Sequence, residues 1–228
     1  MTDKPIYSRR ILSFVKREGR LTKGQQRALD ELYPSYTVAL DGLIDFTVLF
    51  GNNNPVVMEI GFGNGSSLAS MAQAQADVNF LGLEVHRPGV GNLLLQIEQQ
   101  AITNLRVLNE DAVEVLKNNI ANASLQGVMI FFPDPWHKKR HHKRRLVQDG
   151  FVQLLAKKIT AGGVLHMATD WQNYAEHMLM VTNAASEFTN QSGQANFAVR
   201  PATRPLTKFE QRGQRLGHGV WDLLYTRN

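Results

Sequence analysis

A glycine-rich loop is the first feature of the sequence with chemical meaning. After an apolar run the chain reads Glu59-Ile60-Gly61-Phe62-Gly63-Asn64-Gly65. Glycines here let the backbone turn tightly and approach a ligand with no Cβ in the way. NAD-dependent enzymes share such a loop, but with G-x-G-x-x-G spacing, and the carboxylate of Glu59 would repel a pyrophosphate. Glu59 suits a cation instead, such as the amino group or sulfonium of S-adenosylmethionine.

Two more carboxylates follow the next two predicted strands. Glu84 ends an apolar run, where a carboxylate can accept hydrogen bonds from both ribose hydroxyls of an adenosine; otherwise it is a surface acid. Asp111 ends the following run, where it could accept from the adenine amino group or cap the helix predicted from Ala112, and the two roles are compatible. Because parallel strands end at one edge of a sheet, Glu59, Glu84 and Asp111 together predict one pocket for S-adenosylmethionine.

A stiff loop follows the fourth predicted strand. The run GVMIFF opens into Pro133-Asp134-Pro135-Trp136, and two prolines restrict its backbone. The carboxyl end of this strand lies next to the point where doubly wound sheets bind ligands. Asp134 is therefore placed beside the cofactor, the alternative being a local cap in a proline-rich turn. Trp136 either stacks on a flipped base or packs beneath the loop.

The elements that must position these residues alternate between short apolar runs and helical patterns, which favours an α/β fold with a mostly parallel sheet. An antiparallel hairpin is expected near the end of the chain, and one more strand near Phe197–Val199. The predicted strands are Val56–Ile60, Asn79–Glu84, Leu105–Leu108, Val128–Phe132, Gly163–Ala168 and Val220–Tyr225. The predicted helices are Ser66–Gln75, Pro88–Ala101, Ala112–Asn119, Leu146–Ile159 and Trp171–Ala184.

The charge of the chain is concentrated in three basic runs. The net charge is +5, and the basic runs lie at residues 1–30, 138–145 and 200–215, around a middle region rich in acids. One such run is commonly a solvated surface, but three favour a polyanionic partner. We divide the chain into a basic N-terminal arm at 1–30 and a catalytic domain at 31–228.

The composition limits the kinds of binding site and the cellular location that we expect. The chain has no cysteine, so disulfides and thiolate metal sites are excluded. His137, His141 and His142 lie among cations that would repel a metal ion, so no metal is expected. A secretory leader and a membrane span are not supported, and we expect a cytoplasmic protein. The sequence shows no obligatory protein partner and leaves the oligomeric state open, with a slight preference for a monomer.

Three separated motifs resemble one known family. The run FFPDPWHKKRHHKRRLV is similar to the corresponding loop of the bacterial tRNA (guanine-N7-)-methyltransferases. The segment RRILSFVKREGRLTKGQQRAL and the motif Thr207-Lys208-Phe209-Glu210-Gln211-Arg212 resemble that family too, so the similarity covers roughly residues 7 to 226. In the family the last motif often has two arginines after the glutamate, and Gln211 replaces the first of them.

The resemblance implies a fold, a reaction and roles for matching residues. The implied fold is the Rossmann-like class I S-adenosylmethionine-dependent methyltransferase with a seven-stranded sheet. The implied products are 7-methylguanosine at position 46 of the tRNA variable loop and S-adenosylhomocysteine. Pocket roles would fall on Glu59, Gly61, Gly63, Gly65, Glu84, Asp111 and Asp134, with Asp134 also catalytic. RNA contacts would come from Lys138, Asp170, Thr207, Lys208, Phe209 and Glu210, and the charge of the basic run adds Arg140, Arg144 and Arg145 as phosphate ligands.

The chemistry of guanine N7 agrees with these residue types. N7 carries an in-plane lone pair, so no general base is needed, and the enzyme must align the reactants and stabilise the positive charge that moves onto the base. Asp134 suits the second task. Asp170 and Glu210 are candidates to accept the two donors on the Watson–Crick edge of guanine, although Asp170 could instead cap the helix that follows it.

The sequence leaves three functions as alternatives to tRNA guanine methylation. An amino methyltransferase acting on adenine or cytosine uses an Asn/Asp-Pro-Pro-aromatic loop, whereas here one proline precedes the acid and only one follows it. A tRNA-binding protein that lost catalysis is disfavoured because Glu59, Glu84, Asp111 and Asp134 are all present. A dehydrogenase is the most distant alternative.

Overall fold

A twisted sheet forms the centre of the computed structural model, which describes residues 12–15, 19–206, 210 and 219–228. The predicted RNA contacts Thr207, Lys208 and Phe209 lie outside these ranges. The strands are β1 Val56–Ile60, β2 Asn79–Leu83, β3 Leu105–Leu108, β4 Leu125–Phe131, β5 Ile159–Thr169, β6 Phe188–Asn190 and β7 Trp221–Arg227.

The order of the strands confirms the predicted fold class. The described strands form a seven-stranded sheet in the order β3-β2-β1-β4-β5-β7-β6. The strands β1 to β5 pair in parallel, and β7 runs antiparallel to β5 and to β6. The strand predicted near Phe197–Val199 is reduced to one bridge between Ala198 and Asp222, and β6 was not predicted.

Helices cover both faces of the sheet, which explains why its central strands are almost wholly apolar. The helices that follow β1 and β2 are α4 Ser66–Ala74 and α5 Arg87–Gln100, and their apolar sides form one core layer. The opposite layer contains α6 Ala112–Asn118, α7 Asp149–Lys158 and α8 Gln172–Asn183. Each of these helices was predicted with bounds within three residues.

The N-terminal segment packs on the domain through a short helical stretch. It comprises α1 Lys23–Arg27, a π-helix at Ala28–Leu32 and α2 Tyr33–Tyr36, and α3 Phe46–Phe50 follows. Ala28 is fully buried, and a Cβ at Gly91 of α5 would meet the backbone of Gln25 at 2.9 Å. The boundary predicted at residue 30 therefore lies inside a packed helical segment. In the described ranges no helix combines the length and the apolar character that a membrane crossing requires.

Candidate active site

A cavity of about 490 Å³ opens at the carboxyl edge of the sheet, where β1, β2 and β4 end. Its wall contains five of the predicted pocket residues and also the short segment Ser13–Val15. Sequence reasoning missed Glu110, which also lines the cavity. The predicted pocket residues in the wall are Gly61, Gly63, Glu84, Asp111 and Asp134.

The three loop glycines have two different structural tasks. All three have positive φ values, of 76° at Gly61, 61° at Gly63 and 79° at Gly65, a region that L side chains disfavour. Nothing lies within 4 Å of a Cβ built on Gly61 or Gly63, so both leave open space at the cavity. A Cβ on Gly65 would meet Leu93 at 2.6 Å. Gly65 therefore lets the loop pack against α5 and is not part of the cavity wall.

Glu84 is held in a fixed orientation at the cavity wall. Its Oε2 accepts from the backbone N–H of Gly63 at 2.9 Å, and its Oε1 accepts from the N–H of His86 at 2.9 Å. Only 9% of the residue is exposed. Because each carboxylate oxygen has a second lone pair, Glu84 can still accept two hydroxyl donors from a bound ribose.

Glu59 lies beneath the glycine loop and does not belong to the cavity wall. It is 2% exposed, and its Oε2 has no hydrogen-bond partner in the described part of the chain. Burial, with a contribution from the nearby Glu84, raises the pKa of Glu59 to about 8. A buried carboxyl with an unsatisfied oxygen at this place fits a cationic cofactor, whose charge would favour the ionised form.

Asp111 combines the two roles that the sequence left open. Its side chain accepts from the N–H of Val113 at 3.0 Å and caps α6. The same residue lines the cavity. The side-chain amide of the neighbouring Asn109 donates to the backbone oxygen of Glu84 at 2.7 Å, and the backbone N–H of Asn109 donates to the Tyr33 hydroxyl oxygen at 3.1 Å. These contacts tie the ends of β2 and β3 together, so the acids keep their spacing.

The loop after β4 is rigid and carries Asp134 into the cavity. Phe132 and Trp136 have φ values of 51° and 49°, which costs on the order of 1–3 kcal/mol each for non-glycine residues and requires support from the surroundings. Support comes from the N–H of Phe132, which donates to the oxygen of Ala168 at 2.8 Å. Asp134 itself is exposed and lines the cavity, so it can meet a substrate that enters from solvent.

Trp136 packs within the loop. Its Nε1 donates to the backbone oxygen of Ser13 at 3.1 Å, and the guanidinium of Arg144 lies 4.0 Å from the ring centroid. The same Arg144 donates to the oxygens of Leu12 and Phe14. Trp136 and Arg144 thus hold the N-terminal segment that lines the cavity, and one face of the indole is already covered by Arg144.

The basic run 138–145 separates into exposed and internal cations. Lys138, Lys139, Arg140 and Lys143 are exposed. Arg145 is only 3% exposed, and its guanidinium donates to the oxygen of Pro135 at 2.9 Å and to Asn173 Oδ1 at 2.8 Å. Arg145 therefore supports the loop from inside the fold. Because it is buried, it is not available for the phosphate contact that the sequence predicted.

The two acids expected on the substrate side differ in accessibility. Asp170 follows β5 and is half-buried, and it is not the cap of α8, which begins after Trp171 without a side-chain cap. Glu210 is 2% exposed. Its Oε2 and Oε1 accept from Arg204 Nη1 and Nη2 at 2.7 and 2.8 Å, so a guanine contact at Glu210 requires its carboxylate to leave Arg204.

Arg204 is the functional neighbour that sequence reasoning missed. It is 1% exposed and also donates to Asp222 through Nε and Nη2, both at 2.8 Å. Burial opposes ionisation of Asp222, but hydrogen bonds from His166 and Arg204 hold its pKa below the ordinary value. The guanidinium lies 5.8 and 5.6 Å from the rings of Phe131 and Phe132, where the catalytic loop begins. No cluster that could hold a metal occurs among the residues described.

Comparison with known proteins gives a consistent result. A family model described as "Putative methyltransferase" matches residues 53–223. The chain is 58% identical over 222 residues to the "tRNA (guanine-N(7)-)-methyltransferase" of Pseudoalteromonas translucida (strain TAC 125), covering 97% of the chain and 92% of the relative. A relative of the same name from Yersinia enterocolitica is 58% identical over 220 residues, covering 96% and 92%.

A solved structure shares the fold at much lower sequence identity. The 16S rRNA methyltransferase KamB is 13% identical, with a TM-score of 0.60, over 82% of this chain and 94% of that one. Such a likeness shows the architecture only, and it agrees with the strand order described above.

Proposed function

Because the chain belongs to the tRNA (guanine-N(7)-)-methyltransferase family, we propose that it transfers the methyl group of S-adenosylmethionine to N7 of a guanine in tRNA. The observation that carries the proposal is the single cavity where Glu84, Asp111 and Asp134 meet at the ends of three strands. The finer proposal, that the guanine is position 46 in the variable loop, rests on the family resemblance of the three sequence motifs.

The cavity fits the adenosine and methionine parts of the cofactor. Glu84, fixed by two backbone N–H groups, binds the ribose hydroxyls, and Asp111 accepts from the adenine amino group. The open space at Gly61 and Gly63 takes the methionine part, with the buried carboxyl of Glu59 behind it. When bound, S-adenosylmethionine supplies an electrophilic methyl group on a cationic sulfur.

Asp134 acts on the charge that appears on the base. The bond from guanine N7 to the methyl carbon forms as the bond from that carbon to sulfur breaks, so the positive charge moves to the guanine ring. No proton leaves N7, and no general base is needed. A carboxylate on a rigid loop beside the ring stabilises this charge without reorganising during the reaction. The prolines and the support from Ala168 supply that rigidity.

Recognition of guanine and of the RNA backbone belongs to other residues. Asp170, which follows β5, accepts from the Watson–Crick edge, and Glu210 shares this task when its carboxylate leaves Arg204. Lys138 and Arg140 contact phosphates, with Lys139 and Lys143 exposed beside them, whereas the guanidinium of Arg144, also expected to bind phosphate, already bonds Leu12 and Phe14. The segment 207–209 adds RNA contacts, as the family resemblance implies. We further propose a cytoplasmic protein that acts as a monomer without an obligatory protein partner.

One product analysis tests the proposed function. The protein is incubated with bulk tRNA and S-adenosylmethionine labelled in the methyl group, and the tRNA is digested to nucleosides. We expect the label in 7-methylguanosine, and its loss when guanine 46 of a single transcript is replaced by adenine. Label in a methylated adenosine or cytidine would support the amino methyltransferase instead, and unlabelled tRNA would support a binding protein without catalysis.

A further inference from the structure

A basic groove continues from the cofactor cavity across the outer face of the domain. It has a volume of about 470 Å³ and lies along α6 and α7. Ser13, Asp111 and Leu146 belong to both the groove and the cavity. The groove therefore begins at the reaction centre, and a substrate held there can extend into it.

Cations lie at both ends of this groove. Lys143 and Arg144 line it beside the catalytic loop, while Lys117 and Lys157 lie in the last turns of α6 and α7. Lys117, Lys143 and Lys157 are exposed, and none of them has an ion-pair partner in the portion of the chain that the structure describes. The single carboxylate in the wall is that of Asp111, which is occupied in capping α6.

The remaining wall is uncharged apart from the cations and Asp111. Val113, Phe151 and Leu154 contribute apolar surface, and Gln148 and Gln153 contribute neutral amides. Since α7 has 10 residues, it is about 15 Å long at 1.5 Å per residue. A nucleic-acid strand rises about 3.4 Å per nucleotide along its axis, so the groove has room for about four nucleotides of one strand.

We propose that this groove binds the sugar-phosphate backbone of the tRNA, with Lys117 and Lys157 holding phosphates at the end away from Asp134. The proposal rests on the proposed function, because it takes the substrate to be RNA. Contacts of this kind fix the position of the RNA and carry no sequence information. They would set the direction in which the substrate leaves the catalytic loop, along α6 and α7 toward the amino edge of the sheet.

Another role for these lysines leads to a different result. Cations in the last turn of a helix interact favourably with its dipole, and this would explain Lys117 and Lys157 with no RNA present. In that case their removal would lower the thermal midpoint and would leave the salt dependence of tRNA binding unchanged.

The test compares Lys117→Gln, Lys157→Gln and the double variant with Arg106→Gln. Arg106 carries the same charge but lies on β3, at the far edge of the sheet, over the ring of Phe50. Equilibrium binding of tRNA is measured over a series of salt concentrations. The slope of log K against log salt should fall by about 0.7–0.9 for each lysine and by twice that in the double variant, with an unchanged slope in Arg106→Gln.

Further measurements separate this proposal from the proposed function. Binding of S-adenosylhomocysteine, followed by calorimetry, should stay at the wild-type level in both lysine variants because neither residue lines the cofactor cavity. Slopes equal to that of Arg106→Gln would overturn the groove as an RNA site, even if the wild-type protein methylates tRNA. A wild-type protein that neither binds nor methylates tRNA would instead refute the proposed function as well.

Discussion

Replacing Arg204 with methionine should destabilise the protein strongly. Arg204 is the counter-ion of two carboxylates, Glu210 and Asp222, and all three are at most 2% exposed. Removing one partner of a buried ion pair costs about 3–5 kcal/mol, because the remaining charge stays buried without compensation. Two carboxylates lose their guanidinium partner here, although Asp222 keeps its contact with His166 at 2.7 Å, so we expect a loss of about 4 kcal/mol of unfolding free energy. That is a large share of the roughly 5–15 kcal/mol typical of a folded domain.

Urea unfolding of three variants separates charge burial from simple loss of contacts. Arg204→Met with Glu210→Gln removes one of the two carboxylate charges that Arg204 bonded, and it should recover part of the stability that Arg204→Met loses. Arg27→Gln is the matched control, since Arg27 also bonds a glutamate, Glu98, but both side chains are about 40% exposed; little change is expected there. If Arg204→Met unfolds at the same urea concentration as Arg27→Gln, the buried network does not stabilise the fold.

Three further predictions concern the pocket and the RNA surface. Glu84→Ala should weaken binding of S-adenosylmethionine by about 1.5–3 kcal/mol, tenfold or more, in calorimetric titration, and wild-type affinity would contradict its assignment to the ribose. Burial raises the pKa of Glu59 to about 8, so the folded chain keeps a proton that the unfolded chain loses near its ordinary pKa. The protonated Glu59 therefore stabilises the fold fully below that ordinary pKa, and this stabilisation is lost as the pH rises toward 8, by at most about 1.4 kcal/mol per pH unit. Glu59→Gln should remove this decline in the free energy of unfolding, measured with urea between about pH 6 and about pH 8. A decline identical to that of the wild-type protein would refute the role of Glu59. Replacing Lys138, Lys139 and Arg140 with glutamine should reduce the salt slope of tRNA binding by about 0.7–0.9 per lost contact, and a constant slope would show a merely solvated surface.

Short strands made mostly of apolar residues were predictable from the sequence. The runs at Val56–Ile60 and Leu105–Leu108 form β1 and β3 with the predicted bounds, although each contains one charged residue, Glu59 and Arg106. β5 extends four residues before its predicted start, where Ile159 pairs with Leu125 across an irregular register. β6 has only the three residues Phe188–Asn190, too few for any alternation to show.

The position of Glu84, Asp111 and Asp134 at one cavity was predictable because each lies shortly after the end of a recognisable strand, whereas Glu59, inside β1, does not line that cavity. Contacts between residues far apart in the chain were not predictable. In KKRHHKRR nothing distinguishes the internal Arg145 from the exposed Arg140, because burial of Arg145 depends on Asn173. In the sequence, Arg204 is likewise one more basic residue in a polar stretch. Its contact with Asp222 exists only in the folded sheet, so the sequence could not predict it.

The most direct test of the mechanism is single-turnover methylation of tRNA by Asp134→Ala and Asp134→Asn. Asp134 lines the cavity, and we propose that its negative charge stabilises the positive charge on the methylated guanine. Loss of one such group should lower the rate of the chemical step about a hundredfold to a thousandfold. Asp134→Asn keeps the shape and removes the charge, so it should be as slow as Asp134→Ala, with binding of S-adenosylhomocysteine measured in parallel to show that the cavity is intact. A rate close to that of the wild-type protein in either variant would contradict the central claim.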